Sequence, residues 1–286
     1  MKKTNKFFSV LCISLLLIFL FAPIIVLIVF SFNETKSTVN MSGFSFRWYK
    51  NLFEDEATME ALRNSIVLAV SSALISTVMG TAAAYGIHKM RKKFLKSSVM
   101  TVTNIPMMNP DIITGISLML MFVFVGAMLK LSESLSFFTM LIAHVTFSLP
   151  YVILSVLPKF SQMDKAMPEA ALDLGCTPLQ SFFKVELPEI MPGVMTGCLM
   201  AFTLSLDDFV ISYFTKGSGF QTLPLLIYGM TKKTVTPKIY ALATIIFFAI
   251  LFLLLVTNAI SSRDERKQSK IRKTLGRGDS SAAKTL

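Results

Sequence analysis

Charge is scarce in this chain. Of its 286 residues only 16% are Asp, Glu, Lys or Arg, 53% are hydrophobic, and the mean hydropathy is +0.63. A soluble domain of this length cannot hide so much apolar surface. Long polar stretches are missing too: no interval between the apolar runs exceeds 32 residues, and Asn33 to Arg63 has 31, so no sizeable soluble domain is inserted. The three cysteines, Cys12, Cys176 and Cys198, are spaced for neither a disulfide framework nor zinc, and no metal or cofactor is expected. No G-x-x-x-x-G-K-[ST] occurs, so the chain lacks a phosphate-cradling loop and any nucleotide must be bound elsewhere. Lys and Arg are absent from the apolar runs, which argues against an oxyanion path through them.

The runs themselves are plentiful. An α-helix needs about 20 apolar residues to cross the hydrocarbon core. Phe7–Phe32, Asn64–Ile87, Ser97–Leu129, Phe137–Leu157, Ile190–Thr215 and Ile239–Ile260 qualify, predicting six spans. The third holds 33 residues and as one helix would overshoot the bilayer by ~20 Å, so a break is expected at Pro106 or Pro110. The first run is too long for a signal-peptide core and no small-x-small site follows it, so it reads as a retained helix.

Basic residues orient the spans. With the N-terminus inside, the inner segments 1–6, 88–98, 158–189 and 261–286 carry 19 of the 28 Lys and Arg, and the outer loops carry 9. Both termini are therefore expected in the cytoplasm. The same distribution accounts for the net charge of +11 through topology, without nucleic acid. Residues 1–262 read as one permease domain, and 263–286 as a basic, solvated tail. Phe44, Phe46, Trp48 and Tyr49 mark a short interfacial segment after the first span. Residues 223–229, apolar but too short to span, are expected to pack into the outer mouth or on a partner.

The inner connection 167–188 carries the strongest local signals. Pro168 suits a first helical position and Glu169 the positive helix end. Gly175 suits a left-handed stop, and Thr177, Pro178 and Gln180 form a capping box. Leu187-Pro188 is expected to end the second helix. Glu169-Ala170-Ala171, Gly175, Leu187 and Pro188 at this spacing resemble the Glu-Ala-Ala loop of type I ABC importer permeases, with Val185 in place of the usual Ile. The resemblance extends over nearly the whole chain and implies an all-α, six-span MetI-like fold. It implies that this hairpin is the coupling helix docked on a cytoplasmic ATPase. It also implies as partners a second permease subunit, two copies of that ATPase and an extracytoplasmic binding protein, with no catalysis in this chain.

Residues 105–111 and 204–210 resemble the spermidine/putrescine permeases of that family, which implies a small cationic solute. Carboxylates inside spans are costly and are functional hypotheses by default, so Asp207, Asp208 and Asp111 are the candidate pathway residues. Adjacent Asp207 and Asp208 would lie about 100° apart on a continuous helix. The competing reading makes them caps of a broken helix, or bonds within the bundle, and Asp111 an N-terminal partner of the helix dipole. His144, Tyr151 and Tyr228 read as packing or anchoring residues. Rival cargoes are thiamine, iron or an oxyanion, and the rival machine is an ion-coupled transporter, which matched inverted halves would favour. No internal repeat is visible.

Overall fold

Local sequence rules decide where this chain is helical and where it breaks. A computed structural model describes residues 2–37, 40–164, 166–232, 237–252 and 254–255. The basic tail 263–286 and the last residues of the expected sixth span lie outside them. In chain order the helices are α1 (Lys2–Phe30), α2 (Arg47–Phe53), α3 (Glu56–Lys89), α4 (Lys93–Met108), α5 (Asp111–Met128) and α6 (Phe137–Gln162). There follow α7 (Ala166–Asp173), α8 (Pro178–Ser181), a π turn at Phe182–Glu186, α9 (Leu187–Asp207), α10 (Val210–Thr215) and α11 (Leu223–Thr231). A last helix, α12, covers Pro237–Phe252. Among the described residues, five helices are long and apolar enough to span, and α12 is a shorter apolar helix at the place of the sixth.

The residues form two compact units, one of residues up to Leu62 together with those from Leu226 to Leu253, the other built on Arg63–Leu225. In the first unit α1 is apolar on all sides, and its side chains from Phe8 to Leu20 are exposed, as suits a helix whose solvent is lipid. Beyond it the chain folds on Asn33, which is fully buried. Its Nδ2 donates to Ser37 O (2.7 Å) and Asn40 O (2.9 Å), and its Oδ1 accepts from Ser42 N (3.0 Å). Trp48 Nε1 donates to Asn33 O at 2.7 Å, which seats α2. The expected interfacial segment is thus a helix with an aromatic cluster, Phe32 stacking on Phe44 at 5.0 Å. Asp55, ahead of α3, pairs with Lys238 at 2.8 Å. The Lys238 ammonium and the Thr58 hydroxyl together hold the Asp55 carboxyl below its usual range.

In the second unit the core joins α3, α6 and α9 through Ala73, Ile87, Val152, Val156, Phe160 and Ile190. Lipid is as apolar as leucine, so helices associate there through close packing and polar links rather than the hydrophobic effect. The α6/α9 contact shows this. A Cβ added at Gly193 would stand 2.8 Å from Ser155 O, and one at Gly197 would stand 3.2 Å from Val152 Cα. The Gly193-x-x-x-Gly197 pair is what lets the two backbones meet.

The expected break in the third run falls at Pro110. Asn109 before it is extended, with ψ 140°, the conformation a following proline enforces, and α5 starts at Asp111. Pro106 stays inside α4. Two expectations are corrected. Leu187-Pro188 does not end a helix: α8 runs through the π turn into α9, where Pro188 occupies the first turn, and the wider bonding of the π turn just before it lets a residue without an N–H stand inside the continuing helix. The fifth run, expected as one helix over Ile190–Thr215, is interrupted at Asp208, whose ψ of 124° is extended. Residues 221–225 pack near the N-terminal end of α3, with Leu223 N donating to Ser65 Oγ at 2.7 Å and Asn64 Nδ2 to Gln221 O at 3.2 Å.

Candidate functional site

Two groups of residues stand at opposite ends of α9, whose 21 residues span ~30 Å at 1.5 Å each. At its start is the hairpin α7–α8. Glu169 lies in the first turn of α7, and Pro168 is the third residue of that helix rather than its first. Ala170 is exposed and Ala171 buried, so one alanine presents backbone outward while the other packs. Gly175 has φ +85°. Its N–H donates to Leu172 O (2.9 Å), while Cys176 N donates to Ala171 O (3.0 Å), the paired bonds of a Schellman stop. Thr177 N then donates to Gln180 Oε1 (3.0 Å) and Gln180 N to Thr177 Oγ1 (3.3 Å), closing the capping box. Leu174 is 87% and Leu179 69% exposed, so the hairpin turns apolar side chains outward. Leu187 and Pro188 sit where it joins the span.

At the far end of α9 the two aspartates part. Asp208 is turned into the protein, with 7% of its side chain exposed. Its Oδ1 accepts from Ile211 N (3.2 Å) and its Oδ2 from Ser212 N (2.8 Å), so it caps α10. His144 from α6 completes the arrangement. Its Nδ1 bonds Ser205 Oγ at 2.7 Å, before the break, and its Nε2 bonds Ser212 Oγ at 3.0 Å, after it. Asp208 Oδ2 lies 3.5 Å from Nε2. Asp208 is therefore surrounded by donors, whereas Asp207 is exposed at the last position of α9. A helix C-terminus leaves carbonyls unpaired and carries the negative end of the dipole, so Asp207 adds its charge to an electronegative end. Phe209 and Tyr213 follow, rings 5.6 Å apart. Asp111 is exposed in the first turn of α5, and α5 packs on α10 at Gly115, where an added Cβ would meet Phe214 at 3.0 Å.

The sequence marks His144 only as a packing residue and does not single out Glu186. The Asp208-to-Ser212 spacing is the available signal for a cap. Among the described residues, no cluster of three His, Cys, Asp or Glu has a metal-binding arrangement.

Residues 76–267 match the family described as binding-protein-dependent transport system inner membrane component. The putrescine transport system permease protein PotI of Escherichia coli strain K12 is 39% identical over 232 residues, 81% of this chain and 83% of that protein. The spermidine/putrescine transport system permease protein PotC of the same strain is 37% identical over 252 residues, 87% of this chain and 91% of that one. Among solved structures, a bacterial alginate ABC transporter in complex with alginate pentasaccharide-bound periplasmic protein matches with TM-score 0.70 at 19% identity, covering 92% of this chain and 96% of that one. The MetNI methionine ABC transporter, in inward-facing conformations, matches with TM-score 0.53 at 16% identity over 72% of this chain and 97% of that one. These two speak for the fold alone, an all-α permease fold. The chain belongs to the binding-protein-dependent transport system inner membrane components, the permease subunits of ABC importers.

Proposed function

We propose that this permease subunit imports a polyamine, putrescine or spermidine, and that Asp207 is its cation-recognising carboxylate. The observation that carries the reading is the parting of the two aspartates, one buried and hydrogen-bonded within the protein and one exposed at an electronegative helix end. A diammonium or triammonium solute suits that end, with Phe209 and Tyr213 offering aromatic faces to an ammonium and Asp111 a second carboxylate. The names of the two relatives, putrescine and spermidine/putrescine permeases, support the same class of solute.

In this reading both termini are cytoplasmic, residues 1–262 form the permease domain, and 263–286 are a basic tail. A second permease subunit completes the path, an extracytoplasmic binding protein delivers the solute, and two copies of an ATPase drive the cycle. The hairpin 167–188 docks on the ATPase through Glu169, Ala170, Ala171 and the Gly175 turn, while Leu187 and Pro188 join it to α9. ATP closes the ATPase dimer and drives the hairpin, opening the cavity outward. Hydrolysis returns it inward.

The test replaces charge without changing shape. A carboxylate about 4 Å from an ammonium is worth roughly 4 kcal/mol at an effective dielectric of 20 before desolvation. Asp207→Asn should therefore lower ATP-driven putrescine or spermidine uptake roughly tenfold to hundredfold, with the amount of assembled complex unchanged. Full uptake by Asp207→Asn would remove the residue from recognition, and wild-type uptake that survives ATP depletion at clamped potential would remove the importer reading.

A further inference from the structure

Where the hairpin joins α9, the chain buries a carboxylate that neither insertion nor solute recognition requires. Glu186, the last residue of the π turn, has 2% of its side chain exposed, while Glu189, three residues on, is solvated. Its Oε1 accepts from Lys89 Nζ at 3.3 Å. Its Oε2 is buried with no hydrogen-bond partner among the described residues. A half-satisfied buried carboxylate is costly to keep, so its position needs a reason. Lys89 is the last residue of α3, where the negative end of the helix dipole favours a cation, and it is half exposed.

A second attachment runs beside the first. Lys89 Nζ lies 5.2 Å from the Tyr85 ring, Tyr85 meets Phe182 edge-on at 4.8 Å, and both Tyr85 (5.8 Å) and His88 (5.2 Å) pack on Phe160 of α6. The first and last residues of the π turn are thus each tied to the inner end of α3, one by a ring and one by charge. The turn itself is the natural hinge of the segment, because its wide i→i+5 bonding, seen in Leu187 N donating to Phe182 O, is the rarest helical form and recurs at functional sites.

We propose that Lys89 and Glu186 are a positioning pair that makes α3 follow the coupling hairpin, so that one push by the ATPase moves two spans. The inference rests on the coupling role proposed above for residues 167–188. The unpaired Oε2 gives the pair its use as a pivot. A three-donor ammonium can pass from one carboxylate oxygen to the other as the turn rotates, keeping the tie throughout the stroke.

The test reconstitutes the full complex, with its ATPase and binding protein, in proteoliposomes loaded for putrescine uptake. Variants are Glu186→Gln, Lys89→Gln and the exchanged pair Lys89→Glu with Glu186→Lys. Readouts are assembled complex, ATP hydrolysis with and without binding protein, and putrescine moved per ATP. Each single variant should assemble and hydrolyse ATP, yet move at least tenfold less putrescine per ATP and lose stimulation by the binding protein. The exchanged pair should recover both to within about threefold. Wild-type stoichiometry and stimulation in the single variants, or no recovery on exchange, overturns the proposal. So does lower assembly with unchanged stoichiometry in the complexes that remain, since a merely structural bridge behaves that way. Wild-type complex that is stimulated but moves no putrescine defeats the cargo reading instead, and the hydrolysis readout then still decides the pair.

Discussion

His144 holds both sides of a helix break with one ring. Its nitrogens reach Ser205 and Ser212, and Asp208 lies against the same ring while capping α10. Replacing the imidazole with a ring of similar size that cannot hydrogen-bond leaves the Ser205 and Ser212 hydroxyls facing apolar surface, at about 1 to 3 kcal/mol for each group left unpaired. His144→Phe should therefore lower the unfolding temperature of the detergent-purified complex by several degrees, and Asp208→Asn should lower it less, since asparagine still caps. Asp207→Asn should leave it unchanged. Equal unfolding temperatures for His144→Phe and wild type would dismiss the ring as a staple. The sequence offers little warning of this hub, because its parts lie 61 and 68 residues from His144, and a lone histidine in an apolar run does not reveal what faces it. The two aspartates are visible as costly residues in a span, but their different fates depend on where the helix breaks.

At the scale of elements, what can be read is what the chain decides locally. The Gly175 stop, the Thr177–Gln180 box and the break before Asp111 each depend on residues a few positions apart, and each is where local rules place it. The continuation through Leu187-Pro188 is not legible. A proline after a polar hairpin looks like a helix end until the π turn shows that the helix has merely widened. Likewise Gly193 and Gly197 are a recognisable spacing, but their meeting with α6 is a property of the packed bundle. Gly175 gives a clean test, because an added Cβ there meets nothing within 4 Å and the penalty comes from φ +85° alone, about 1 to 2 kcal/mol for a residue other than glycine. Gly175→Leu should reach the membrane in normal amount, with ATP-driven uptake reduced at least tenfold because the two short helices no longer present one docking surface. Normal uptake by a normally inserted Gly175→Leu chain would take the hairpin out of the coupling path.

Over the whole molecule, the charge distribution and the length of α9 make one joint claim. The segments proposed as inner hold 19 basic residues against 9 in those proposed as outer, the bias by which short loops are oriented, and α9 then carries the chain ~30 Å from the hairpin to Asp207. If the orientation holds, the hairpin faces the cytoplasm, where ATP is, and Asp207 lies near the side from which solute arrives. Were it reversed, the five basic residues of loop 88–98 would stand outside and the hairpin would have no ATPase to meet. A cysteine-free chain, with Cys12, Cys176 and Cys198 replaced, allows single cysteines to report the sides. Ser132→Cys, in the exposed loop between α5 and α6, should react with a membrane-impermeant maleimide in intact cells. Ser269→Cys, in the basic tail, should react only after permeabilisation. The opposite pattern would overturn the orientation, and with it the assignment of the hairpin to an inner ATPase and of Asp207 to an outer solute, since α9 carries both.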